Sequence, residues 1–223
     1  MRDELDRQID QLSSTVVTMG ERADEMLGRA LQALQDTDLA LADVVIDADR
    51  ALDRAYEQIQ NGVLATVALH GPVGRDLRLL TGLLHVSLHA ERMADYAVGV
   101  ARTVKRVAAE EPDPDLLEQL VEMGELARAV GRQSMGAFVQ ADAELAATAS
   151  RLDDGVDRLN AGIFRRLVRL AADEERLEWA TRMIQLTRQL ERYADHGVDI
   201  AEQAVFVATG KNRELSSEAV AGN

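Results

Sequence analysis

The chain repeats itself. Residues 19–54 (MGERADEMLGRALQALQDTDLALADVVIDADRALDR) lie without a gap over 123–158 (MGELARAVGRQSMGAFVQADAELAATASRLDDGVDR), with 11 of 36 positions identical. The identities include Met19/Met123, Gly20/Gly124, Glu21/Glu125, Asp38/Asp142, Asp49/Asp153 and Asp53/Asp157. Downstream the offset falls from 104 to 100, and ERMADYAVGVA (91–101) meets ERYADHGVDIA (191–201). The four-residue difference is expected at HGPVGRD, as a longer turn in the first copy. A duplication of this length implies two copies of one supersecondary unit rather than a single irregular fold.

Each copy reads as three helices. The first covers roughly 3–36 and ends in QDTDLA, where Asp38 suits the N-cap of the next. The second runs to about His70, where Gly71-Pro72 breaks it. The third covers about 74–109, and EEPDPD (110–115) links the copies. The second copy repeats the scheme at about 114–140, 142–171 and 174–209, with 210–223 expected as a flexible tail. Only three prolines interrupt 223 residues, and the apolar content is mostly Ala, Leu and Val, which suits packed helices. In the sixth helix Trp179, Met183, Leu186, Leu190, Tyr193, Ile200, Ala204 and Val207 form a core stripe. Leu79, Leu83, Val86, Ala90, Met93, Val100 and Val104 do the same in the third. The expected fold is all-α, two tandem antiparallel three-helix bundles over 1–110 and 114–209.

Charge and composition exclude several roles. A formal charge of −14 repels phosphate backbones and anionic lipid, which argues against nucleic-acid binding and membrane adhesion. There is no cysteine, hence no disulfide and no thiolate metal site. The N-terminal MRDELDRQID lacks the apolar core of a signal peptide. The longest uncharged run, 59–74, is too short to span a bilayer. A soluble cytoplasmic protein is expected.

Against this background the acids form a pattern. LERYADHGVDIAE (190–202) stacks Glu191, Asp195, Asp199 and Glu202 at helical three- and four-residue steps, where like charges repel. Residues equidistant from the turn of a helical hairpin lie at one height. A turn near 174 therefore sets Asp157 opposite Glu191 and Asp153 opposite Asp195. A turn near 72 sets Asp53 opposite Glu91 and Asp49 opposite Asp95. Four carboxylates on helices roughly 8–10 Å apart repel unless compensated. An oxygen-ligated cation would resolve the conflict. Arg54, Arg92, Arg158 and Arg192, or plain solvation, would resolve it without metal. The Glu-x-x-His pairs of di-iron bundles are absent. His85 and His89 share one helix stripe that points away from Glu91, a spacing that is more often incidental. No nucleophile with a base, phosphate loop or dinucleotide fingerprint stands out.

The duplicated three-helix unit, PVGRDLR (72–78), ERMADYAVGVA and ERYADHGVDIAEQAVFVATG together resemble the PhoU phosphate-signalling regulators over nearly the whole chain. The resemblance implies two three-helix bundles, with multinuclear metal clusters at acid-x-x-x-Asp motifs in some members. It thereby implies Mg, Mn or Fe on Asp49, Asp53, Glu91, Asp95, Asp153, Asp157, Glu191, Asp195 and Asp199. It also implies a non-enzymatic negative regulator, a homodimer, that links the ATPase subunit of the high-affinity phosphate ABC transporter to a sensor histidine kinase. The family commonly carries Asn four residues after the motif Asp; here Gly99 and Asp199 stand there. Gly99 offers no ligand, so the second site is expected to be the stronger. The competing class is a metal-dependent carboxylate-cluster enzyme of the helical-bundle type.

Overall fold

The computed structural model describes residues 2–215. They form six helices: α1 (Arg2–Asp36), α2 (Leu39–His70), α3 (Arg75–Val107), α4 (Pro114–Gln140), α5 (Ala143–Leu170) and α6 (Leu177–Thr209). No strand occurs among the described residues.

Local chemistry sets the helix ends. Asp38 is extended, and its side chain accepts the Leu41 N–H at 3.0 Å, capping α2. The repeat-related Asp142 accepts from Glu144 and Leu145 to cap α5. Asp113 accepts from Leu116, with Pro114 at the first helical position of α4, where its missing N–H costs nothing. Gly71 closes α2 in the left-handed conformation (φ 55°) and donates to the Val67 carbonyl. The extra residues of the first copy are not in its turn. Helix α2 has 32 residues against 28 in α5, about one added helical turn. The α2–α3 connection (71–74) is shorter than the α5–α6 one (171–176). Gly71-Pro72 stops α2 abruptly, whereas residues 171–176 wind through irregular turns before α6 begins.

The two bundles share one core. Helices α1 and α3 of the first copy pack on α4 and α6 of the second, so four helices lie inside, and α3 against α6 is the most extensive contact. Helix α2 covers α1 and α3, and α5 covers α4 and α6. All eight expected core residues of α6 are buried. In α3 six of the seven are; Leu79 is only half-buried and its neighbour Leu80 takes the core position. Small residues let the inner helices close up, since Gly197 of α6 lies directly on the backbone of Gly131 in α4.

The chain after α6 departs from the expected free tail. Leu215 is 2% exposed. Its N–H donates to Glu202 Oε1 at 2.9 Å, and the Ser150 hydroxyl donates to its carbonyl. Leu215 therefore docks on α5 and α6 while residues 211–214 stay exposed, and the rest of the expected tail lies outside the described residues. No described helix is long and apolar enough to cross a membrane.

Candidate metal centres and the seam between the copies

Members of each acid quartet lie close enough on the outer hairpins to act on one another's carboxyls, but among the described residues only His89, His196 and Asp199 bring three ligand atoms within 4.8 Å of one another. In the first copy, burial and then Asp53 and Asp95 push the Asp49 carboxyl up, against Arg102. Glu91 is pushed up by burial and Asp95, opposed by Arg92, with Asp53 and Asp49 adding. In the second copy Asp153 rises to about 7, through burial and then the fields of Asp157, Asp195, Asp154 and Glu191. Burial, then Asp154, raises Asp157. Burial and Asp195 raise Glu191 against Arg188. Asp195 rises through burial, opposed by Arg192, with Asp157 and Asp199 adding. Carboxyls of each quartet thus feel one another's fields across the two helices of a hairpin.

Arginine compensation differs between them. Arg92 reaches Asp95 at 2.9 Å and Glu91 at 3.4 Å, spanning two members of the first quartet. Arg192 reaches only Asp195, at 3.2 Å. Among the described residues Arg54 and Arg158 make no ion pair with these acids. Glu91 Oε2 is buried and makes no hydrogen bond, its ion-pair partner being Arg92 Nε at 3.4 Å. Carboxyls raised by burial and by one another's fields, in both quartets, suit a hard, oxygen-preferring cation such as Mg, Mn or Fe. Asp49, Asp53, Glu91 and Asp95 would hold it in the first copy, and Asp153, Asp157, Glu191 and Asp195 in the second.

Asp199 sits elsewhere. Its Oδ2 lies 3.1 Å from His196 Nδ1 and 3.3 Å from His89 Nδ1, and the two Nδ1 atoms are 3.0 Å apart. It reaches the second quartet only through its field on Asp195. Burial would raise Asp199, but its hydrogen bond with His196 and the fields of both histidines hold it below the usual range. Burial lowers His89 to about 4 despite Asp199, so this imidazole is neutral at pH 7. Tyr96 stacks on the His196 ring at 5.6 Å. Gly99, at the related place in α3, faces Gln189 instead. The sequence reading missed this trio because His89 and His196 do not occupy matched repeat positions. Only the pairing of α3 with α6 brings them together.

The twofold-repeated helical unit agrees with the comparisons to known proteins. The PhoU domain family matches residues 16–104 and 120–204, once in each copy. This chain belongs to the PhoU family. Two solved PhoU structures superpose on it. The phosphate transport system regulatory protein PhoU from Streptococcus pneumoniae does so with a TM-score of 0.86 and 25% identity, covering 94% of this chain and 99% of that one. PhoU from Pseudomonas aeruginosa does so with a TM-score of 0.88 and 26% identity, covering 92% and 99%. A phosphate-specific transport system accessory protein PhoU homolog from Clostridium acetobutylicum is 27% identical over 210 residues, 93% of this chain and 95% of that protein. PhoU relatives thus match end to end, including both hairpins that carry the acids.

Proposed function

We propose that this PhoU-family protein is an accessory of phosphate transport that acts by binding, as a negative regulator of the phosphate-starvation response. The observation that carries the reading is the end-to-end match, across both copies, to proteins named as phosphate-specific transport system accessory proteins. Its partners would be the ATPase subunit of a phosphate ABC transporter and a sensor histidine kinase, met in the cytoplasm by a homodimer. The molecule suits such a role physically. A charge of −14 offers an acidic surface that steers basic partners and sets register. Both hairpin ends also expose apolar side chains, with Leu64, Leu69 and Val73 in one copy and Phe164, Val168 and Leu177 in the other. Scattered exposed apolar residues are ordinary, but matched groups at two hairpin ends suit two related docking surfaces. Hard cations on the quartets would neutralise the clustered acid and stiffen each hairpin.

Deleting the gene should switch on phosphate-uptake genes in phosphate-rich medium, and purified protein should bind both partners more weakly as salt rises. Continued repression in the deletion strain, together with no binding at low salt, would refute the regulator and leave metal-dependent turnover of phosphate esters to be assayed.

A further inference from the structure

The contact between α3 and α6 joins the two copies, and it is not symmetric. Position 89 of α3 faces position 199 of α6, as the His89–Asp199 contact shows. Its repeat-related counterpart sets position 189 against position 99, as the Gly99–Gln189 contact shows. On one side of the seam the facing residues are therefore histidine and aspartate. On the other they are glutamine and glycine, which bind metal poorly or not at all. Near the middle Tyr96 and His196, at matched positions, stack on each other. The seam thus builds a ligand-bearing constellation once per chain.

While Asp199 is ionised, imidazole protons alone cannot satisfy that constellation. Three atoms meet at 3.0, 3.1 and 3.3 Å: two imidazole Nδ1 atoms and one carboxylate oxygen. A neutral imidazole nitrogen is either a donor or an acceptor. If both Nδ1 atoms carry protons, each donates to Asp199 and the two N–H groups confront each other. If only one does, the bare Nδ1 turns its lone pair on the second histidine's proton but also on the carboxylate. If neither does, three lone pairs converge. With the carboxylate ionised, each of these arrangements leaves at least one edge of the triangle repulsive, whereas a central cation makes all three atoms attractive.

The size of the triangle fits such an ion. With metal–nitrogen and metal–oxygen bonds of about 2.0–2.2 Å, ligands at right angles stand about 2.9 Å apart and ligands at tetrahedral angles about 3.4 Å apart. The three observed separations lie between these limits without rearrangement. We propose that His89, His196 and Asp199 form a three-ligand site for a divalent transition ion of the zinc class, bridging the first copy to the second. Two imidazoles favour Zn²⁺ over Mg²⁺, which prefers an all-oxygen shell. The Asp199 side chain is 43% exposed, which gives the ion an entry path and leaves a coordination position open to water. The Tyr96 ring fixes the plane of His196, as partners outside the ligand shell do at metal sites. This site is chemically separate from the carboxylate quartets and does not depend on the regulatory reading.

The test uses the full chain stripped of metal and titrated with Zn²⁺, Mg²⁺ or Co²⁺ alone. Zn²⁺ should bind once at the seam and raise the melting temperature, with Mg²⁺ failing to compete. Co²⁺ should give a visible ligand-field band. His89→Gln, His196→Gln and Asp199→Asn should each weaken Zn²⁺ by at least the roughly 10–100-fold that losing even an outer partner costs, and the histidine variants should abolish the band. The double variant Asp153→Asn/Asp157→Asn should keep it. Helicity by circular dichroism confirms that each variant is folded, and Asp199→Asn, the most exposed of the three, stands in if a histidine variant is not. No cobalt band in the wild-type protein overturns the site. So does a band that survives the ligand variants or disappears with the quartet.

Discussion

Gly197 of α6 lies against the backbone of Gly131 of α4, so that a Cβ built on Gly197 would stand 3.2 Å from the Gly131 nitrogen and 3.0 Å from Val130 Cγ1. This contact joins two inner helices, and a backbone cannot swing aside as a side chain can. Gly197→Ala should destabilise the protein by roughly 1–3 kcal/mol, the usual cost of overpacking, outweighing the gain of up to about 1 kcal/mol that alanine brings to a helix. Gly99→Ala makes the control. Its Cβ would meet only the end of Gln189, at 2.7 Å, which can move away. Urea midpoints should fall for the first variant and stay level or rise for the second. Equal shifts would mean that the two helices can separate at no cost.

Asp153 makes stability depend on pH. Its carboxyl is raised from 3.8 to about 7, first by burial and then by Asp157, Asp195, Asp154 and Glu191. A folded state that holds the proton more tightly than the unfolded chain gains stability below the unfolded pKa. That gain is lost as pH rises from about 4 towards and through 7. Metal-free protein should therefore be more stable at pH 5 than at pH 8 as far as this group is concerned. Asp153→Asn should flatten the profile and stabilise at pH 8 by about 1–2 kcal/mol, once the shift is discounted for solvent screening. Chemical unfolding across pH 4–9 with chelator present measures it. A profile unchanged by the substitution would show that the carboxyl is not under this strain.

The quartets should differ in metal affinity. Arg92 spans Glu91 and Asp95, whereas Arg192 reaches only Asp195. The second quartet is left with more uncompensated charge, and its Asp153 is the carboxyl raised to about 7. Mg²⁺ or Mn²⁺ should consequently bind Asp153, Asp157, Glu191 and Asp195 more tightly than Asp49, Asp53, Glu91 and Asp95. Asp195→Asn should remove more metal than Asp95→Asn, as read by elemental analysis and titration. Equal losses would refute the ranking, and a protein that takes up neither ion would refute the sites.

Much of this architecture is written locally. Asp38 and Asp142 mark helix starts because their carboxylates cap nearby N–H groups. The facing of Asp53 with Glu91 follows from equal rise along a hairpin. What escaped the sequence depends on distant packing. The four-residue offset looked like a turn because Gly and Pro cluster at 71–74, but a helix can absorb four residues as one more turn without changing its face. Asp199 looked like a fifth member of its quartet because it follows Asp195 by four residues. The approach of α3 turns it towards His89 and His196 instead. The repeat itself hid that trio, since it aligns position 96 with 196 and gives no reason to pair 89 with 196.

The docking of Leu215 provides the last test, because composition alone makes the segment after Gly210 look free. A solvated tail would leave Leu215→Ala within about 0.5 kcal/mol of the parent. The structure instead buries the side chain to 2% exposure and ties its backbone at both ends, the N–H to Glu202 and the carbonyl to Ser150. Leu215→Ala should then cost about 2 kcal/mol, the lower end for buried leucines, because a segment packed on one side only can settle into the space left behind. Ser150→Ala should cost about 1 kcal/mol by removing a hydroxyl donor from a buried carbonyl. Glu202→Gln should be milder, because the amide oxygen still accepts the Leu215 N–H. Hydrogen exchange read at the Leu215 amide separates the cases: protection in the parent that is lost in Leu215→Ala supports docking. Fast exchange in the parent would return the segment to solvent.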